Sequence, residues 1–562
     1  MISFVKWKFN RMLAVATVVM AVNYVVMMSG SAIVANLVGP EGLAGLNVCT
    51  PVFGVASFLA SLLSVGTSLV FSRAMGAFDE RRAAGVFSQS ILLAAALGAV
   101  IWCAMHFGED AYLDLTGVTG AVRLQAEHYW RWQTIAMALL PSVLTMEALV
   151  YADGDGAVAL LAGGIHVMGA IGLSAFYTWR DGDAGGASLG TAVTMMAVLV
   201  VCGIHCWRAN NHLKFRDYFS FRDLRETVAA SLADSTIYLC WGLLILIVNR
   251  FALDRFGQAL LPVVALAANV VEFSIVFDGV GEALIPLGGM YDGEGNKPAL
   301  RELAGHSAFV ATLEGMVCGA ALYLLAPTVA AAYGFRGAAA GLLPQAVTMV
   351  RSLALAMPFM GFLMMANTHY LVVRHVPFAV SVTVVKDFVC PCIGVLALGS
   401  VWGESGLWAG FAAGYVVAAA YPLVFVRLRH GRELFPWLIE RDDGKSIDFS
   451  VRISERTLAD AGARIGEFLN GNGVYEAVVG RIADLVTESG RLTAKGRRRP
   501  VRAEYFVSLE KPGELRLVIR DNGRSDDVNV RLKTELGASG LRYLNTLGCN
   551  RSEYRFDIPN FK

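Results

Sequence analysis

Charge is what this chain has least of. Asp, Glu, Lys and Arg make up 17% of it against 56% apolar residues, and the mean hydropathy is +0.54. Soluble domains carry about 25% charged residues. A single water-solvated core of 562 residues is therefore excluded, because the apolar surface exceeds what a globular interior buries. Cysteine pairs in ligand spacing are also missing. The nine cysteines form no CxxC, and Cys49, Cys103, Cys202, Cys240 and Cys318 sit in apolar runs, which argues against a metal or redox motif and for inert thiols. A short signal-peptide core is absent too. The apolar stretch behind Lys6, Lys8 and Arg11 continues to about Gly39, too long for a cleaved signal, and reads as a first spanning helix.

Long apolar runs dominate the rest. They lie near 12–38, 45–72, 86–106, 126–150, 157–179 and 187–207, then near 227–250, 259–290, 306–333, 342–373, 377–400 and 406–427. Each reaches the roughly 20 residues a helix needs to cross the hydrocarbon. The expected fold is an all-α polytopic membrane protein with 12 transmembrane helices in two six-helix bundles, followed by a small cytoplasmic α+β domain. The boundaries are 1–208, 209–427, a linker at 428–445, and a tail at 446–562. Basic residues set the orientation. Arg73, Arg81, Arg82, Arg208, Lys214, Arg374 and Arg427 fall on one side, about 18 cations against about 7, which predicts cytoplasmic N- and C-termini in the inner (plasma) membrane. Roughly half of all Lys and Arg lie after Arg427, so the net charge of +1 averages an apolar body and a charged tail.

The two halves repeat. Gly66-Thr67-Ser68-Leu69, running on to Ala74-Met75-Gly76, returns about 215 residues later as Gly281-Glu282-Ala283-Leu284, running on to Gly289-Met290-Tyr291. Pro141 and Pro358 hold corresponding places in the fourth span of each half. Such a repeat places substrate near the midplane between two rocking bundles.

On these residues the sequence resembles the MATE (multidrug and toxic compound extrusion) family. Gly39-Pro40-Glu41-Gly42-Leu43-Ala44 looks like its Gly-x-x-x-Leu-Ala segment, and Ala152-Asp153-Gly154-Asp155 like its Ala-x-Gly-Asp loop. Gly279–Pro286 with Tyr291–Asn296 is similar to its glycine-rich turn, and Gly406-Leu407-Trp408-Ala409 to the start of its last span. The resemblance implies an antiporter, not an enzyme, that exports amphipathic or cationic compounds against H+ or Na+. Two family features are absent. Ser31 stands where many members carry an Asp, and Gly163-Gly164-Ile165-His166 replaces the Asn/Asp pattern of the fifth span.

Carboxylates at membrane depth face a cavity, a partner or an ion. Glu272, Asp278 and Glu282 in span 8 lead the candidates, with Asp278 and Glu282 four apart on one helix face. Glu147 follows Pro141, whose ring frees a backbone carbonyl. Lys386 and Asp387 adjoin in span 11 but point about 100° apart, so no mutual pair is required; Lys386 falls where relatives often carry a basic residue. His166 is a further candidate, with a packed core histidine as the alternative, and Asn249 and Asp234 are weaker candidates. Phe53, Phe58, Trp241, Met357, Phe359, Met364 and Met365 are candidates to line a greasy pocket, with plain core as the alternative.

In the tail, 447–453, 501–509, 514–520 and 553–558 read as strands, and 456–469, 474–489 and 538–547 as helices. This order resembles the histidine-kinase-like ATPase fold of anti-sigma-factor type. The resemblance implies ATP and Mg contacts at Asp484, Glu488, Asp521, Gly523, Gly537 and Gly540, although Asp484 and Glu488 replace the expected Glu and Asn. No further metal site is expected. The predicted partners are the lipid bilayer, a small-molecule substrate and a cytoplasmic protein on the tail, with no nucleic acid. The alternatives are a membrane sensor on a transporter-like fold and a lipid-linked saccharide flippase, the second disfavoured by the few Arg and Lys in the spans.

Overall fold

Uninterrupted apolar sequence with small residues at helical spacing has one stable form in lipid, the helix that satisfies its own backbone. The computed structural model describes residues 3–116, 118–208, 211–257, 260–333, 335, 341–440, 444–494, 500–509, 513–523, 540–547 and 549–558. The first half contains α1 (Phe4–Leu37), α2 (Pro40–Ser61), α3 (Ser64–Gly76), α4 (Glu80–Thr116), α5 (Gly120–Ala152), α6 (Gly156–Asp181) and α7 (Gly185–His205). The second contains α8 (Phe221–Phe256), α9 (Leu261–Glu272), α10 (Asp278–Glu294), α11 (Lys297–Ala332), α12 (Leu343–Val372), α13 (Val376–Val384) and α14 (Cys390–Arg429). Among the described residues, nine helices are long and apolar enough to cross a membrane. One of these, Val376–Arg429, reverses at Gly403 (φ 65), and Gly394 then lies directly against the Gly410 backbone. The fold is thus a multi-pass helical membrane protein.

Helix starts follow local chemistry. Ser220 and Asn296 cap α8 and α11 by accepting a backbone N–H three residues on, and prolines occupy the first turns of α2, α9, α11, α12, α13 and α14. Two places depart from the α-helix. A 3₁₀ turn over Phe273–Phe277 joins α9 to α10, and a π turn over Val385–Val389 joins α13 to α14.

The repeated segments are α3 and α10, and they pack on each other. A Cβ on Gly76 would overlap the Met290 carbonyl, and one on Gly293 would overlap the Arg73 carbonyl. Close approach of backbones is what glycine permits here. The seam between the halves continues in polar contacts. Arg73 is buried and reaches Glu226 of α8 (2.5 Å), Asp292 of α10 (2.9 Å) and the carbonyls of Leu371 and Val372 (3.1 and 2.7 Å). Ser61 donates to Ser235 at 2.8 Å, and the Gly66 N–H donates to Ser231 Oγ at 2.8 Å.

The tail is a five-stranded antiparallel sheet of order β1-β2-β3-β5-β4, with β1 Ser446–Arg452, β2 Arg502–Ser508, β3 Glu514–Asp521, β4 Gly540–Thr546 and β5 Cys549–Asp557. Helices α15 (Glu455–Gly471) and α16 (Glu476–Ala494) cover one face through Ile465, Leu469, Ile482 and Leu485 against Tyr505, Val507, Leu517 and Tyr554. The expected helix over 538–547 is a strand where it is described. Leu541 packs with the tail core and Leu544 with the first-half cluster, so pairing with β5 overrides the helix-like spacing.

Alternation along the strands sends Asp448, Glu504, Arg516, Arg520, Arg551 and Glu553 to the other face. That face meets the helix ends. Arg551 donates to the carbonyls of Met75 and Gly76 and pairs with Glu294, and Arg520 pairs with Glu294 and Glu504. Asn296 donates to Asp448 at 2.9 Å, Lys8 to the Leu547 carbonyl, and the Phe4 N–H to Ser450 at 2.8 Å.

Candidate functional site

The 3₁₀ turn positions the leading acids. Glu272 closes α9 and Asp278 opens α10, so the tighter turn between them carries a carboxylate at each end. Both line a cavity of about 300 Å³ together with Tyr238 and Trp241 of α8, Met360 and Met364 of α12, Tyr415 of α14, and Lys386 and Asp387. The indole of Trp241 hydrogen-bonds Glu272. The cavity belongs to the second half alone, whereas the repeat leads one to expect a hollow shared by both halves. Between the halves, α3 and α10 meet backbone to backbone at Gly76 and Gly293.

Lys386 and Asp387 do pair, Nζ to Oδ2 at 2.6 Å, with both side chains buried. On an ideal α-helix these neighbours diverge by about 100° and need not pair. They lie on the π turn, whose wider coil departs from that α-helical spacing, and the long lysine stem spans the remainder. The pocket thus collects three carboxylates and one ammonium among aromatic and thioether groups.

Other candidates are distributed elsewhere. Glu282 sits one turn beyond Asp278, near Tyr151 of α5, and is not in the cavity lining. Glu147 and His166, treated as separate in sequence, approach to 3.8 Å across α5 and α6 in the first half. Asn249 is half-buried on α8 away from the cavity. The side chains of Asp234 and Ser31 lie outside the described residues. Of the aromatic and Met candidates, Trp241 and Met364 line the pocket, Met357 and Met365 are core, and Phe359 is exposed.

Glu314 of α11 was missed. Its carboxylate accepts from Thr17 of α1 at 3.4 Å, linking the two halves inside the spans. The rule that found Glu272, an acid within an apolar run, would have found it too. The Ala152–Asp155 corner is a tight ionic knot. His205 bridges Asp153 (2.7 Å) and Asp155 (2.9 Å), and His212 adds a contact to Asp153 at 2.6 Å. Burial alone would raise the Asp153 carboxyl, but hydrogen bonds from His205 and His212 hold it below the usual carboxylate range.

The tail residues do not assemble a nucleotide site among the described residues. Asp484 and Glu488 lie on the exposed face of α16, where Glu488 pairs with Arg491 at 3.7 Å. Asp521 is buried and already accepts from the Gly523 N–H (2.8 Å) and Asn550 (2.9 Å). Gly523 packs on the Thr493 carbonyl, and Gly540 begins a strand instead of a phosphate-binding turn. Gly537 falls outside the described residues.

The helix arrangement, with its seam of repeated segments, is a known one. The MatE family profile matches residues 16–174. Among solved structures the chain is similar to a MATE in complex with MaL6, at 22% identity and a TM-score of 0.71, over 76% of this chain and 96% of that one. The same figures describe its similarity to an outward-facing multidrug resistance MATE family transporter of the MOP superfamily. A MOP superfamily transporter from Pyrococcus furiosus, described as having a binding pocket of reverse polarity that suggests a different function, is similar at 21% identity and a TM-score of 0.70 over 76% and 96% of the two chains. No curated protein matches in sequence. The chain has the fold of the MATE transporters.

Proposed function

We propose that the chain is a secondary antiporter that exports amphipathic or cationic small molecules in exchange for H+ or Na+, with a cytoplasmic regulatory tail. In this reading twelve spans form two six-helix bundles with both termini cytoplasmic. One observation carries it: a single half-enclosed pocket holds Glu272, Asp278 and the buried Lys386–Asp387 pair beside Trp241 and Tyr238. Removing water from three carboxylates and one ammonium leaves negative charge that a proton, a metal cation or an organic cation must balance. Those occupants compete for the same acids, and that competition is the physical basis of exchange. The aromatic walls suit the greasy part of a cargo and the face of an organic cation. The 3₁₀ turn between the two acids is a natural place for the helix to flex as one occupant replaces another.

The test is uptake into liposomes under an imposed proton or sodium gradient. Glu272→Gln and Asp278→Asn should each lower gradient-driven transport by about tenfold or more, the equivalent of about 1.4 kcal/mol of binding. Unchanged transport in both variants rejects the site.

A further inference from the structure

We propose that the tail is a clamp on the cytoplasmic seam, and that the transport cycle requires it to undock. The inference rests on the export reading. It starts from one side chain that touches both halves of the membrane domain. Arg551 donates to the carbonyls of Met75 and Gly76, at the end of α3 in the first half. The same guanidinium pairs with Glu294, at the end of α10 in the second half, and lies 3.7 Å over the Phe78 ring. Arg551 and Glu294 are both buried.

These are the two helix ends whose backbones meet at Gly76 and Gly293. An exporter must admit cargo from the cytoplasm, so these ends must separate during its cycle. A guanidinium shared between them cannot keep both sets of partners when they part. Whichever end it leaves loses a buried charged partner: the α3 carbonyls lose their guanidinium, or Glu294 keeps Arg520 alone of its two. Further contacts hold the sheet in place: Asn296 to Asp448 on the second half, and Lys8 to the Leu547 carbonyl on the first. The sheet therefore spans the seam and is not carried by one half alone. The fraction of molecules with the tail docked sets the fraction unable to open inward, and anything that releases the tail activates transport.

The experiment uses the full chain in liposomes with two cysteine pairs that tie the sheet to both halves, Asn296→Cys with Asp448→Cys on the second and Phe4→Cys with Ser450→Cys on the first, oxidised or reduced, with both cross-links verified by peptide mass spectrometry. Oxidation should lower gradient-driven transport at least tenfold, and reduction should restore it. In a second full-length protein, Arg551→Gln should raise transport above wild type. Both cross-links verified with undiminished transport overturn the clamp. If neither redox form transports any cargo, the export reading fails, and the clamp is judged by amide hydrogen exchange alone. Exchange at 74–79 and 289–296 several-fold faster in Arg551→Gln and in the reduced protein than in the cross-linked protein supports it. Equal exchange in all three overturns it.

Discussion

Helices α3 and α10 are the two copies of one repeated segment, and they differ in a way that separates packing from chemistry. Each brings a glycine to the other's backbone, Gly76 to Met290 and Gly293 to Arg73, although in the repeat these glycines correspond to Tyr291 and Phe78 and are not one shared position. They do not keep the same charges. Thr67 of α3, buried and donating to Ser90 at 3.0 Å, stands where α10 carries Glu282. Asp278 opens α10 beside the cavity, while the corresponding start of α3 is neutral. Their ends differ as well: α3 offers the tail backbone carbonyls, and α10 offers Glu294 and, just beyond it, Asn296. The shared surface belongs to the seam, and the divergent acids belong to one half. A repeat need not duplicate function to duplicate a contact.

The strongest way to break the comparison is to remove the acid at the end of α10. Glu294→Ala leaves Arg520 and Arg551 buried with one carboxylate fewer, a change of the kind that costs about 3–5 kcal/mol. Thermal unfolding in detergent should show a clear drop in Tm, and a variant as stable as wild type would mean the cluster is solvated in practice. Next in size is the common packing surface. Gly76→Ala forces a methyl onto the Met290 carbonyl and should destabilise by about 1–3 kcal/mol. Gly164→Ala meets nothing within 4 Å and serves as the control. Equal melting of these two glycine variants would contradict the backbone contact between the repeats.

The sequence was most legible where a single physical constraint acts. Apolar length marks the spans, and the acids of span 8 stand out because lipid tolerates few of them. It was least legible where tertiary geometry reassigns a neighbour. Lys386 and Asp387 diverge on an ideal helix yet pair on a π turn, whose presence no local pattern announces. The tail gave the larger surprise. Arg516, Arg520, Arg551, Glu504 and Glu553 alternate with apolar residues, which ordinarily reads as a sheet with one wet face. That face is instead covered by helix ends, and its charges find partners there. A strand-by-strand reading has no access to that contact, because the partners lie more than 200 residues upstream. The segment at 540–546 has a helix-like apolar spacing, and only its pairing with β5 makes it a strand.

The finest distinction between the two helix ends concerns protons. The end of α3 is held by a guanidinium on carbonyls, groups that do not titrate in the physiological range. The end of α10 is held in part through Asp448, which faces Asn296 and Glu302 of the membrane domain and Arg464 and Glu504 of the tail. Burial pushes the Asp448 carboxyl up to about 7, with the Asn296 hydrogen bond opposing and the Glu302 charge reinforcing the rise, and Glu504 moves the same way. An undocked carboxyl returns toward its ordinary value of about 3.9. Between those values the docked state holds a proton that the undocked one has lost, so docking is favoured at the acid end. It weakens as pH rises through the Asp448 window, and the raised Glu504 carboxyl acts in the same direction. From pH 5.5 to 7.5 the docked-to-undocked ratio should fall on the order of tenfold. Hydrogen exchange corrected for its intrinsic pH dependence should show protection lost at 289–296 before 74–79, and Asp448→Asn should abolish that difference. Equal loss at both ends would mean that the tail grips α3 and α10 by the same chemistry.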